Sequence, residues 1–214
     1  MSAGRTWWQR LVGAEPDPGQ EGRWVVLDTE TSGLDPQRDR LLAIGAVAVD
    51  GQGIRLGDSF ETVVQTEGVG TPDNVVVHGI GHEAQRGGMP AAAALRAFEA
   101  YLGGAPCVGF HSAFDRAVLA RAFAQAGAGA LPSRWLDLEP LAAALASASG
   151  RRSLDDWLTV FAIDVSARHN AAADALAAAE LLLRLRARAA AQGVRGFAAL
   201  ARLGRQGRWL AAGG

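Results

Sequence analysis

The chain has 214 residues, just under half of them hydrophobic, and a formal net charge of −1. That length suits one ordinary domain with a sheet covered on both faces, and no apolar run reaches the roughly 18 residues that read as a membrane span. The single cysteine, Cys107, excludes an intramolecular disulfide and a cysteine-based zinc site. All 21 basic residues are arginine, and the near balance of charge argues neither for nor against a nucleic-acid partner. Residues Met1 to Val12 carry Arg5 and Arg10 but no long apolar core or small-residue cleavage site. The expected compartment is the cytoplasm.

Residues 1–22 form an extension ahead of the first apolar run. Tryptophans near a terminus are costly to leave in water, so Trp7 and Trp8 are expected to pack on the domain's own surface. Strands are predicted near 24–30, 41–49 and 55–64, the last two joined by the hairpin signal Asp50-Gly51-Gln52-Gly53. Pro90 opens an Ala-rich helix that turns Leu95, Phe98 and Leu102 toward the core. A fourth strand spans about 106–110, and a helix from Ala113 to Gln125 ends at Gly127. A short fifth strand lies near 134–138, followed by a helix from Glu139 to Ser147 and another capped by Ser153. The last strong helix covers roughly 170–192. Hairpin-linked strands followed by strand and helix alternation predict an α/β fold, a mixed five-stranded sheet flanked by helices. Residues 23–192 form the main domain, and 193–214 a C-terminal docking helix or tail.

Polar residues set into this apolar frame carry the chemistry. The first predicted strand ends in Leu27-Asp28-Thr29-Glu30, and side chains two apart on a strand share a face. Two adjacent carboxylates at the edge of a core repel one another and lose hydration, which a divalent cation compensates. Arginines and backbone amides compensate equally well, so Asp28 and Glu30 alone leave both readings open. Asp115 sits in the first turn of its helix beside the apolar stripe Phe114, Val118, Leu119 and Phe123, where an acid also stabilises a helix start. Arg116 and Arg121 on that helix are expected in solvent. Arg151 and Arg152 form a surface charge pair or contact phosphate.

Three segments together are more specific. Residues 25–49, VVLDTETSGLDPQRDRLLAIGAVAV, are followed by Val108-Gly109-Phe110-His111-Ser112-Ala113-Phe114-Asp115 and by His169-Asn170-Ala171-Ala172-Ala173-Asp174. In this order they resemble the three motifs of the DnaQ-like (DEDD) 3′–5′ exonucleases, the family of the proofreading epsilon subunit of bacterial DNA polymerase III. A histidine five residues before the last aspartate matches the histidine subclass.

That resemblance implies a ribonuclease-H-like fold and hydrolysis of phosphodiesters at single-stranded or frayed 3′ ends, DNA favoured over RNA, with release of nucleoside 5′-monophosphates. It implies two Mg²⁺ or Mn²⁺ ions, with Asp28 bridging both, Glu30 and Asp174 on the ion nearer the nucleophile, and Asp115 toward the second. His169 is the implied general base, suited to the role by an intrinsic pKa near 6.5. Five helical residues turn through about 140°, so His169 is expected ahead of the helix that carries Asp174. Thr31, Ser32, Leu34 and His78 are the implied substrate contacts, with Leu34 as an apolar wedge between terminal bases and Asp73 as a weaker candidate. A polymerase is a possible partner, although no clamp-binding sequence is evident. RNA trimming and a non-catalytic scaffold are the rival readings. Ser112 stands where the family commonly has asparagine, which implies an altered substrate contact.

Overall fold

A computed structural model describes residues 22–66, 80–132, 134–146, 152–165 and 170–212. Five strands form one sheet: β1 (Trp24–Thr31), β2 (Leu41–Asp50), β3 (Gly53–Val63), β4 (Cys107–Gly109) and β5 (Trp135–Asp137). Their order is β3-β2-β1-β4-β5. The β1–β2 and β2–β3 pairs are antiparallel, and β1–β4 and β4–β5 are parallel. Seven helices are described: α1 (His82–Arg86), α2 (Ala91–Leu102), α3 (Ala113–Ala126), α4 (Leu138–Ala146), α5 (Leu154–Val160), α6 (Ala171–Ala191) and α7 (Phe197–Ala212). This is the expected mixed α/β architecture, of ribonuclease-H-like type. No helix among the described residues is long and apolar enough to cross a membrane.

Alternation along β1 explains the layering. Trp24 and Val26 join a cluster with α4, α6 and α7 on one face of the sheet. Val25 and Leu27 pack with Leu95 and Phe98 of α2 and with Val118, Leu119 and Phe123 of α3 on the other. Cys107 lies in this second core, fully buried, and burial pushes its thiol up to about 12. The Asp50 carboxylate accepts from Gln52 N at 2.8 Å, fixing the β2–β3 turn, and Gly53 takes its positive φ of 119°.

Helix ends follow local chemistry. Pro90 stands just before α2 with extended ψ, one position earlier than expected. Gly127 closes α3 in the left-handed conformation. Ser153 caps α5 through a reciprocal capping box with Asp156. Residues 197–212 are helical, and Phe197, Leu200 and Ala201 are part of the main core, so α7 docks on the body of the domain.

One glycine sets the position of α6. Gly45 on β2 pairs with Asp28 on β1. A Cβ at Gly45 would lie 2.1 Å from the carbonyl carbon of Ala171 and 2.2 Å from Ala172 N. The first turn of α6 therefore rests on bare β2 backbone beside the end of β1. Gly45→Ala forces backbone apart and is expected to cost about 1–3 kcal/mol, the scale of overpacking. Gly57→Ala, where an added Cβ meets nothing within 4 Å, is expected to stay within about 0.5 kcal/mol. Equal melting temperatures for the two variants would refute this account.

Candidate active site

Asp28 and Glu30 continue the register of Trp24 and Val26, so they project on the α6 side where the apolar residues stop. They stand at the carboxyl end of a strand with a parallel neighbour, where open α/β sheets gather their ligand sites. Both are partly exposed. Asp174 arrives from the first turn of α6. Asn170 caps that helix, its Oδ1 accepting from Ala172 N at 3.0 Å and Ala173 N at 3.1 Å. With the helix start pressed onto Gly45, ligand oxygens of Asp28, Glu30 and Asp174 lie within 4.8 Å of one another. Three hard oxygen donors at this spacing form a cluster able to hold a divalent cation such as Mg²⁺ or Mn²⁺.

Asp115 approaches from the opposite face. It is 4% exposed, itself part of the buried side of α3 where the sequence pattern set it beside the stripe. Thr29 points the other way from Asp28 and Glu30, and its hydroxyl donates to Asp115 Oδ1 at 2.7 Å. Burial raises the Asp115 carboxyl to about 7, and the Asp137 carboxylate adds to the rise against the opposing Thr29 hydrogen bond. A carboxylate this dry and this close to a second acid suits a nearby cation better than solvent.

Asp137 was not evident from the sequence. It ends β5 as Asp28 nears the end of β1, a strand-end acid that was the one available signal. Its Oδ1 accepts from His111 N at 3.1 Å and Glu139 N at 3.2 Å. His111 carries a positive φ of 54°, an uncommon conformation for a residue with a side chain. Asp137 thus pins the left-handed turn that leads into α3 and Asp115. His111 Nε2 is buried without a hydrogen-bond partner among the described residues, and Ser112 beside it is 5% exposed.

The loop after β1 is internally braced. Thr31 Oγ1 donates to Gly33 O at 2.6 Å, and Ser32 Oγ donates to Asp39 Oδ1 at 3.0 Å while accepting from Arg40 N at 2.9 Å. Both hydroxyls hold the loop in shape. Leu34, in contrast, is 91% exposed, an apolar side chain standing in solvent on that braced loop. Arg116 is exposed as expected, but Arg121 is not simply solvated: its Nη2 donates to the Asp39 carbonyl and its Nε is buried without a partner among the described residues. The guanidinium ties α3 to the same loop. Arg152 lies over the Trp157 ring, 5.4 Å from its centroid. His169, His78, Asp73, Arg151, Trp7 and Trp8 lie outside the described residues.

Residues 25–182 match the model of the RNase T family, described as exonuclease. The chain belongs to this exonuclease family. It is related to epsilon-like proteins: it is 33% identical over 181 residues to a DNA polymerase III subunit epsilon-like protein of Rhodobacter capsulatus, covering 83% of this chain and 25% of that one. It is 27% identical over 168 residues to a PolC-type DNA polymerase III of Halalkalibacterium halodurans, covering 78% of this chain and 12% of the relative. The chain therefore spans a quarter or less of the length of these relatives. Among solved structures, E. coli Exonuclease I in complex with a dT13 oligonucleotide is similar at a TM-score of 0.68 and 20% identity, over 80% of this chain and 42% of that one. Its zinc-bound complex with single-stranded DNA is similar at 0.67 and 21%, over 79% and 41%. At these identities the likeness concerns the fold.

A cation held by this cluster stabilises the folded chain by an amount that grows with the logarithm of its concentration relative to its dissociation constant. Mg²⁺ or Mn²⁺ at 100 times its dissociation constant is expected to add about 2.7 kcal/mol for a single site. Asp28→Asn is expected to abolish that gain in a thermal melt. The same gain in the variant would place the cation elsewhere.

Proposed function

We propose that this exonuclease-family chain removes nucleotides from the 3′ ends of single-stranded or frayed DNA, releasing nucleoside 5′-monophosphates. The observation that carries this reading is the convergence of Asp28, Glu30 and Asp174 at the carboxyl end of β1, with buried Asp115 behind them. Asp28, Glu30 and Asp174 would hold Mg²⁺ or Mn²⁺, with Asp115 toward a second ion. Such a pair would activate the attacking water and neutralise charge building on the phosphate and the leaving oxygen.

The chain's own residues do the rest. His169 accepts the proton of the attacking water, a general-base role that imidazole chemistry suits at neutral pH. Its place one residue before the α6 cap Asn170 ties it in sequence to the helix that carries Asp174. Leu34 supplies an apolar surface for the terminal base, with Thr31 and Ser32, whose hydroxyls hold the same loop in shape, as further substrate contacts. His78 reaches the strand from the segment before Ile80. Residues 23–192 form the catalytic unit, with 1–22 as an extension.

DNA is chosen over RNA because the relatives bear DNA polymerase names and the similar solved structures hold DNA oligonucleotides. Association with a polymerase rests on those relatives' names alone.

Digestion of matched DNA and RNA strands with Mg²⁺, Mn²⁺ or EDTA tests this reading. DNA is expected to shorten from its 3′ end with metal and to remain intact in EDTA. Preferred cleavage of RNA would overturn the substrate, and metal-independent cleavage would overturn the chemistry. His169→Ala is expected to lower turnover by about 10² or more and to remove the acid limb of the pH profile while cation binding persists. An unchanged rate and profile would exclude His169 as the base.

A further inference from the structure

Charge is spread unevenly along this chain. Residues 181–214 contain seven of the 21 arginines and no aspartate or glutamate, which leaves all 22 carboxylates to the residues before them. The fold collects this basic segment on the second half of α6 and on α7. Arg184, Arg188, Arg195, Arg202 and Arg205 are exposed. None of the five forms an ion pair with a described residue.

The course of α7 is the second observation. Its start lies at the end of the sheet remote from the carboxylates, where Phe197 meets Trp24 edge to face with ring centroids 5.3 Å apart. Farther along, Gly204 sits against the start of α4, where a Cβ would lie 3.5 Å from Leu141 N and 3.7 Å from the carbonyl oxygen of Asp137. Asp137 pairs with Gly109, the residue after Val108, which pairs with Val26. It therefore lies near the level of Asp28. The helix runs alongside β5 and toward the level of the carboxylates. The lengths agree: seven helical residues rise about 10 Å, and four strand residues from Trp24 to Asp28 span about 13 Å. Phe197, Leu200, Ala201 and Gly204 face inward, while Ala198, Arg202 and Arg205 face solvent.

We propose that the outer edge of α7, with Arg195 just ahead of its first turn and Arg202 and Arg205 near its middle, is a track for the phosphate backbone of a nucleic-acid strand whose 3′ end lies at the carboxylates. The proposal rests on the exonuclease reading above and adds a second contact to it. Guanidinium forks bind phosphate oxygens in pairs and need no particular base. β5 lies two strands from β1, about 10 Å to the side, so a short strand occupies the carboxylates without reaching α7. A longer one engages both. The track thus raises affinity for long substrates without touching the reacting phosphate.

The test uses the full-length chain carrying Asp174→Asn, in EDTA, with labelled oligothymidylates of about 16 and about 4 nucleotides. Binding is measured from about 50 to about 200 mM salt, with and without Arg195→Gln, Arg202→Gln and Arg205→Gln together. For the long strand, removing three phosphate contacts is expected to reduce the salt slope by about 2 and to weaken low-salt binding at least tenfold. Binding of the short strand is expected to remain unchanged. The matching triple lysine variant is expected to keep most of the slope, and equal melting temperatures exclude a folding defect. An unchanged slope in the glutamine variant overturns the track, and so does an equal loss for both lengths. Selective loss on long strands in a chain that hydrolyses neither DNA nor RNA supports the binding edge and sinks the exonuclease reading. An unchanged slope in a chain that does hydrolyse DNA sinks the track alone.

Discussion

The contact between Gly45 and the first turn of α6 sets the geometry on which the candidate site depends. A sheet covered by a helix ordinarily keeps about 10 Å between backbones because side chains fill the gap. Here the gap is closed at one point, since Gly45 has no side chain and Ala171 and Ala172 bring backbone directly against it. Gly45 is also the residue paired with Asp28. A close approach of helix to sheet therefore falls beside the first carboxylate, and Asp174 enters the site one turn further on. Asn170 completes the arrangement by capping the helix with its own side chain, which accepts from the Ala172 and Ala173 amides.

Repulsion among the acids is the cost of this geometry. Asp28, Glu30 and Asp174 gather on one face of β1, Asp115 comes from the other, and Asp137 stands behind. Scaffold hydrogen bonds hold parts of the group: Thr29 donates to Asp115, and Asp137 accepts two backbone amides. They fix positions without supplying positive charge. A group so arranged favours bound cations. Arg121 on α3 anchors the loop that carries Leu34 through the Asp39 carbonyl. Electrostatic work is thus divided between an acidic end of the sheet and a basic edge along α7.

Much of this was legible in the sequence, for identifiable reasons. β1, β2 and β3 fall within two residues of their expected limits because an apolar run, an alternating run and an Asp-Gly turn each point to the same answer. Gly127 and Ser153 end and begin their helices as their chemistry dictates. The three converging acids were marked by spacing on a strand and by motif order. What escaped were features made by long-range contact. Asp137 is one acid on a three-residue strand, and only the tertiary fold brings it to His111 N. Arg121 looks like any exposed helical arginine until the Asp39 carbonyl is seen beside it, 82 positions earlier in the chain. α1 is five residues long and too short for helical periodicity to register. The terminal segment carried a choice between helix and tail, decided by the burial of Phe197 and Leu200 against α4 and β1.

The central claim is that the acids brought together by Gly45 and α6 are a cation site. Anomalous scattering from crystals of the full-length chain grown with Mn²⁺ and a nucleoside 5′-monophosphate tests it most directly. The account predicts a manganese peak within about 2–2.5 Å of carboxylate oxygens from Asp28, Glu30 and Asp174, with the nucleotide phosphate touching the same ion. Manganese bound only elsewhere, with these three side chains turned to arginines or amides, would contradict it.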